Sequence, residues 1–235
     1  MTYSNLGSYD KALDFNYKAL EIREKTFGTQ HPQYAMSLNN IAANYSGLGD
    51  YSKALDVNFN VLQIKEQTLG KQHPDYALSL NNIAQNYSSL GNFSESLKYN
   101  LEALEIREIT LGKSHPDYLL SINNIAMDYV NLGDYPKALE YNLLAISERE
   151  KIIGKNHPDY LISLSNLAFL YSIMGENDKS LDCDLKILEL REKILGNNHP
   201  DYALSLNNVA MDYMHLGNYR EALEFNLKAL VSYEK

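Results

Sequence analysis

Five histidines stand at one interval. His31, His73, His115, His157 and His199 are 42 residues apart, and a proline follows each, from Pro32 to Pro200. A column of imidazoles is the first pattern that could do chemistry, as a metal array. The prolines argue otherwise. Proline suits the first helical position, where its missing N–H costs nothing, so each histidine falls at a cap or loop position. Copies in adjacent helix pairs lie at least a helix spacing apart, about 8–10 Å, whereas zinc draws its ligands to about 2 Å from one ion. No metal and no cofactor is expected. His215 stands outside the column, with no acid or nucleophile fixed beside it, and reads as a polar contact. Cys183 sits where other copies carry Phe15, Val57, Tyr99, Tyr141 and Phe225, which makes it a packing residue. The chain has no G-x-S-x-G, no phosphate-binding glycine loop and no H-E-x-x-H. No catalytic residue is assigned, and an enzyme is not expected.

The elements that position these residues are marked by glycine. Eleven of the twelve glycines fall at 21-residue intervals from Gly7 to Gly217, with only Gly47 off the grid. Such self-similarity marks a repeat architecture, here of 42 residues with two breaks. Between breaks the pattern is helical. From Pro74 to Leu90, apolar residues recur at Ala77, Leu80, Ile83, Ala84, Tyr87 and Leu90, the spacing of one helix face. Asp75 complements the helix dipole and Gly91 ends the helix. A second helix is expected from Phe93 to Leu111, with Leu97, Leu101, Leu104 and Ile106 apolar and Gly112 at its end. Each repeat is thus an inner and an outer helix. Neither buries its apolar face alone, so neighbouring pairs must stack.

The expected fold is an all-α solenoid of antiparallel helix pairs with a concave and a convex face. As one continuous domain it divides into a partial repeat at 1–30, repeats at 31–72, 73–114, 115–156 and 157–198, and a last repeat at 199–235. Tyr3 to Tyr9 matches Tyr45 to Tyr51, so six outer helices and five full inner helices follow a partial inner helix. The last outer helix carries no polar cap, which points to a fragment of a longer array or to ends that meet another molecule.

Composition narrows the partner. The chain has 21 Lys and Arg against 30 Asp and Glu, a net charge of −9, which weighs against nucleic acid as a partner. No stretch approaches the ~18–20 apolar residues of a membrane span. One cysteine makes no internal disulfide, so the chain reads as cytoplasmic, and the N-x-S sequons at Asn44, Asn86 and Asn92 carry little weight.

The motif His73-Pro74-Asp75-Tyr76, Leu80-Asn81-Asn82-Ile83-Ala84, Tyr87, Leu90-Gly91, Leu104-Glu105-Ile106-Arg107-Glu108 and Leu111-Gly112 recurs in five near-complete units. It resembles the tetratricopeptide repeat in its 42-residue form, as in kinesin light chains, over essentially the whole chain. The resemblance implies a right-handed superhelix that binds a peptide or protein in its concave groove, and no catalysis. The best-known grooves of that family clamp a C-terminal carboxylate with Lys and Arg. Here the inner helices, near 33–48, 75–90, 117–132, 159–174 and 201–216, hold neither; their charges are Asp75, Asp117, Asp128, Asp159, Asp201 and Asp212. An anionic tail finds no charge-assisted partner, so neither the clamp nor a preference for acidic peptides carries over.

The groove offers amides instead. Asn39, Asn81, Asn123 and Asn207 each begin an Asn-Asn pair, with Asn166 alone after Ser165. An amide donates to and accepts from a peptide backbone at once. The first Asn of each pair is read as a groove residue, and a ladder joining neighbouring helices remains the alternative. An outer-helix column, Asn16, Asn58, Asn100, Asn142, Asp184 and Asn226, reads as a satisfied buried network that fixes register. Along the centre of the groove, Ala43 and Gly47 give way to Gln85 and Ser89, then Met127 and Asn131, Phe169 and Ile173, and Met211 and His215. With Ile162, the residues Phe169 and Ile173 form an apolar patch of the kind that marks a binding site; packing against a neighbouring outer helix is the alternative. The Glu-Arg-Glu-Lys segments, such as Glu148 to Lys151, read as solvated charge. The expected function is a scaffold that binds a neutral-to-basic peptide or protein segment. The alternatives are a homo-oligomeric scaffold joined through its ends, and a regulatory part of a larger enzyme. Light scattering separates the first two: a groove binder stays monomeric as concentration rises, and a self-associating scaffold grows.

Overall fold

The computed structural model describes residues 9–233. They form eleven α-helices: α1 (Tyr9–Phe27), α2 (Pro32–Gly47), α3 (Tyr51–Leu69), α4 (Pro74–Ser89), α5 (Phe93–Leu111), α6 (Pro116–Leu132), α7 (Tyr135–Ile153), α8 (Pro158–Ile173), α9 (Asn177–Leu195), α10 (Pro200–His215) and α11 (Tyr219–Tyr233). Odd-numbered helices are the outer ones and even-numbered helices the inner ones. The class is an all-α solenoid of helix-pair repeats. The partial inner helix expected before Tyr9 lies outside the described residues. The chain divides into two compact units, Met1–Leu132 and Gly133–Lys235.

The histidine column turns out to be a set of caps. In His31, His73, His115, His157 and His199 the ring Nδ1 accepts the backbone N–H two residues on, at 3.1–3.2 Å. This satisfies one of the donors left open at a helix start. Asp50 and Asp134 cap α3 and α7 in the same way. At the other end, Gly112 closes α5 with φ +79°, a conformation that an L side chain rarely adopts. Gly47, the one glycine off the grid, has a different reason: a Cβ there would run into the Tyr9 ring.

Within each unit the inner helices pack against neighbouring outer helices. In the first unit, Tyr76, Ala77 and Leu80 of α4 meet Ala103 and Ile106 of α5, with Leu62 of α3 closing the other side. In the second, Tyr160, Leu164, Leu167 and Ala168 of α8 meet Cys183 and Ile187 of α9, with Leu139 and Ile146 of α7 opposite. Cys183 is therefore the packing residue its column suggests, and burial pushes its thiol pKa up to about 11.

One reading is corrected. The arginine of the Glu-Arg-Glu-Lys segments is not solvated charge. Arg23, Lys65, Arg107, Arg149 and Arg191 recur every 42 residues and reach across the loop to the following inner helix. Arg107 donates to Asp117 O at 3.0 Å and to Ser121 Oγ at 2.6 Å. Arg23 bonds Gln33 O and Ser37, Arg191 bonds Asp201 O and Ser205, Arg149 bonds Ser163, and Lys65 bonds Asp75 O. Arg107 is 1% exposed, and burial lowers its pKa despite the nearby Asp117. Removing a buried hydrogen-bonded cation leaves both acceptors unpaired. Arg107→Ala should therefore cost about 3 kcal/mol, read as a lower urea midpoint, whereas Lys113→Ala, an exposed residue of the next loop, should cost under about 1 kcal/mol.

Candidate functional site

In the first unit the inner-helix face opens into two adjacent cavities. One, of about 390 Å³, is lined by Asn39, Ala43, Gly47, Asn82, Gln85 and Asn86, among others. The next, of about 510 Å³, is lined by residues of α4, α5 and α6 that include Leu78, Asn81, Gln85, Leu120, Met127 and Asp128. Short polar residues line the first cavity, and the exposed Leu78, Leu120 and Met127 join them at the second.

A polar chain runs beneath the second cavity. Asn81 Nδ2 donates to Asn100 Oδ1 at 2.6 Å, and Asn100 Nδ2 donates to Asp128 Oδ2 at 2.7 Å. Burial raises the pKa of Asp128, and hydrogen bonds from Asn100 and Ser96 pull it back. Asn81, the first asparagine of its pair, thus serves the ladder between helices and also lines the second cavity. Asn82, the second, is half-buried and lines both cavities. Asn39 lines the first cavity, and Asn123 and Asn207 are half-buried. The outer-helix column is buried at Asn58, Asn100, Asn142 and Asp184. It departs from expectation at Asn16, which is half-buried, and at Asn226, which is exposed. Nor is it fully satisfied. Asn142 Oδ1 has no hydrogen-bond partner, and with Leu170 standing in place of Asp128 its Nδ2 donates to Ala138 O of its own helix instead.

In the second unit the face becomes apolar. Phe169 is 52% and Ile173 39% exposed. Ile162 and Met211 are exposed too, as is Met127 in the first unit. Gln85 is exposed at the rim of both cavities, and His215 is exposed at the last residue of α10. Sequence reasoning passed over one constant feature of this face. Met36, Leu78, Leu120, Ile162 and Leu204 recur every 42 residues, and all are exposed; their signal was an aliphatic residue that falls off the core stripe in every copy.

Beneath the apolar face lies a buried pair of acids. Asp184 of α9 stands where other outer helices carry Asn, and it hydrogen-bonds Asp212 of α10. Ser180 Oγ donates to Asp212 Oδ1 at 2.9 Å, and Asn208 hydrogen-bonds Asp184. Burial first, and the charge of Asp212 second, push the Asp184 pKa up to about 7. Below about pH 7 Asp184 holds a proton and can donate to Asp212 as the Asn100 amide donates to Asp128. Among the described residues, no three His, Cys, Asp or Glu side chains are grouped to hold a metal ion, and no helix is long and apolar enough to cross a membrane.

The tetratricopeptide repeat family model matches residues 1–58, 117–178 and 161–235, and a second tetratricopeptide repeat model matches residues 77–117. Among solved structures, the chain is similar to a kinesin light chain-like protein of Podosopora anserina with nearly identical TPR-like repeats, at 25% identity and a TM-score of 0.77, over 86% of this chain and 96% of that one. It is similar to BtubC (BKLC) of P. vanneervenii at 19% identity and a TM-score of 0.81, over 96% of this chain and 91% of that one. A Rap protein complexed with Competence and Sporulation Factor shares 18% identity and a TM-score of 0.61, over 99% of this chain and 61% of that one. The last two are likenesses of fold alone. No curated protein matches the chain.

The acid pair predicts an unusual pH dependence. Asp184 in the folded chain holds a proton up to about pH 7, whereas its ordinary pKa is 3.8. The folded state therefore binds more protons between these values, and stability falls as pH rises through that window. Asp184→Asn supplies the donor without a proton. Melting temperatures should show the variant more stable than the parent at pH 8, with the gap closing by pH 5.

Proposed function

The chain belongs to the tetratricopeptide repeat family, in its kinesin-light-chain-like form, whose repeats generally mediate protein–protein interaction, and from that premise we propose that its inner-helix face binds a neutral-to-basic peptide or protein segment anchored by an apolar side chain. The observation that carries this is the exposure of Phe169 and Ile173 on α8, at positions where the other inner helices carry Ala43, Gln85, Met127 and Met211, and Gly47, Ser89, Asn131 and His215. Aromatic and aliphatic side chains kept out of the core lose water only when a partner arrives, and that gain favours binding. Ile162 and Met211 extend the same apolar surface, and methionine adapts to varied partners. Asn39, Asn82 and Gln85 support the backbone-holding part of the reading, since amides of this kind grip a chain with little regard to its side chains. The absence of Lys and Arg from α2, α4, α6, α8 and α10 favours ligands without net negative charge. The fold is typically non-enzymatic, and a binding module rather than a catalyst fits the residues present.

A second reading draws on α11. Tyr219, Leu223, Leu227, Leu230 and Val231 are all exposed along it, a surface that favours self-association. Concentration-dependent light scattering separates the two readings.

Peptides selected from a random display library on the parent chain test the first. Phe169→Ser with Ile173→Ser should weaken them by at least about tenfold, the cost of losing one buried apolar anchor, while the circular dichroism of the variant stays helical. Undiminished affinity in that variant sinks the proposal.

A further inference from the structure

Within the first unit, the cavity of about 510 Å³ between α4 and α6 has walls and a floor of opposite character. Leu78 and Leu120, both exposed, stand on its two sides. At its base lie Asp128, 2% exposed, and Asn81, 7% exposed. Their hydrogen-bond accounting does not close. A carboxylate offers about four acceptor positions, and Asp128 receives bonds from Asn100 and Ser96. Asn81 spends its amide on Asn100, and its Oδ1 has no hydrogen-bond partner. The polar chain runs donor to acceptor from Asn81 to Asp128, so it lacks a donor at its head and a positive charge at its foot. No residue that lines the cavity is a Lys or Arg. The nearest charges along α5, Glu95 and Lys98, pair with each other at 3.1 Å on the surface. The preceding cavity is the natural contrast: Asn86 stands there in place of Asp128, and its Oδ1 already accepts Ser46 Oγ.

We infer that the α4–α6 cavity is a subsite for a single basic side chain, a lysine or arginine of a bound peptide, whose methylene stem lies between Leu78 and Leu120 while its cationic head takes the free acceptors of Asp128 and Asn81. A primary ammonium brings three donors and a guanidinium five, with no acceptor to be stranded. A long apolar stem under a charged tip matches aliphatic walls over an acidic base. The depth of the acid gives selectivity: an exposed ion pair is worth little, whereas a charge-assisted bond away from water is among the strong ones. The neighbouring cavity, neutral at its base, takes an uncharged side chain. The subsite rests on the peptide-binding reading above, and it gives that reading a register.

Titration of the isotope-labelled full chain with three probes tests the subsite without any long ligand: the N-acetyl methylamides of lysine, glutamine and norleucine, followed by NMR. The lysine probe should move the side-chain amide signals of Asn81 and Asn100 and the methyl signals of Leu78 and Leu120. It should saturate at least about fivefold below the glutamine probe, the scale of one added charge-assisted bond, and norleucine should leave the amides in place. Asp128→Asn, which copies the Asn86 arrangement, should abolish the lysine preference with the methyl dispersion of a folded core retained. Asn86→Asp should create a second lysine response at the Asn39 and Asn58 amides. Equal response to lysine and glutamine, or a lysine preference that survives Asp128→Asn, overturns the subsite. Library peptides that bind through Phe169 and Ile173 but carry no basic residue, and ignore Asp128→Asn, overturn it as well and leave the binding face standing.

Discussion

A cation near the end of α1, α3, α5, α7 and α9 reaches over the loop and bonds the first turns of the inner helix that follows. Arg107 is the fullest case, with a backbone carbonyl and the Ser121 hydroxyl both on one nitrogen. That contact sets the angle at which an outer helix passes the chain to its successor. Apolar packing then fills a geometry already fixed, since a hydrophobic face alone tolerates sliding and rotation. The histidine caps complete the hinge from the other side. They fix the first turn of the inner helix, so the carbonyl that receives the cation stands in one place.

Polar residues inside this array work at two levels. The histidine caps make local bonds that all five copies repeat. The Asn100–Asp128 and Asp184–Asp212 contacts instead tie an outer helix to the inner helix that follows it, and they vary from copy to copy. Where an amide meets a carboxylate, no proton is needed. Where two acids meet, their bond depends on a proton that burial and the second charge hold up to about pH 7, and the junction becomes sensitive to the solution. Where Leu170 takes the acid's place, the Asn142 amide turns back to Ala138 O of its own helix. Hydrogen bonding in a low-dielectric interior rewards full satisfaction and penalises the rest, so these junctions differ in strength although their backbones repeat.

The repeat itself was plain in the chain, because glycine and proline mark backbone conformation directly. The expected helix from Phe93 to Leu111 has those bounds in the structure, and the histidines cap as their prolines implied. The side of the helix on which a residue lies was also readable, as Leu80, Ile83 and Ala84 in the core attest. Direction within a face was not. Asn81 and Asn82 are adjacent and chemically identical, yet Asn81 turns to Asn100 while Asn82 lines both cavities. That choice depends on where Asn100 stands, which no periodicity of α4 encodes. The buried arginines escaped notice for a related reason. Flanked by Glu and Lys, Arg149 looks like surface charge until Ser163, fourteen residues on, is brought beside it. Asp184 was visible as a lone departure from Asn, but its meaning required knowing that Asp212 faces it.

The cation bridge has a consequence for how such a gene can change. Its donor and its acceptors lie in consecutive copies at one fixed offset, so an unequal crossover that adds or deletes 42 codons rejoins every bridge intact. The variable junctions do not share that freedom. An outer helix carrying Asp184, moved before an inner helix with Leu at the position of Asp212, would bring a buried acid with no partner to share its proton. Whole-repeat recombination is therefore free in backbone and constrained in side chains, and order along the array is inherited as matched pairs that straddle repeat boundaries.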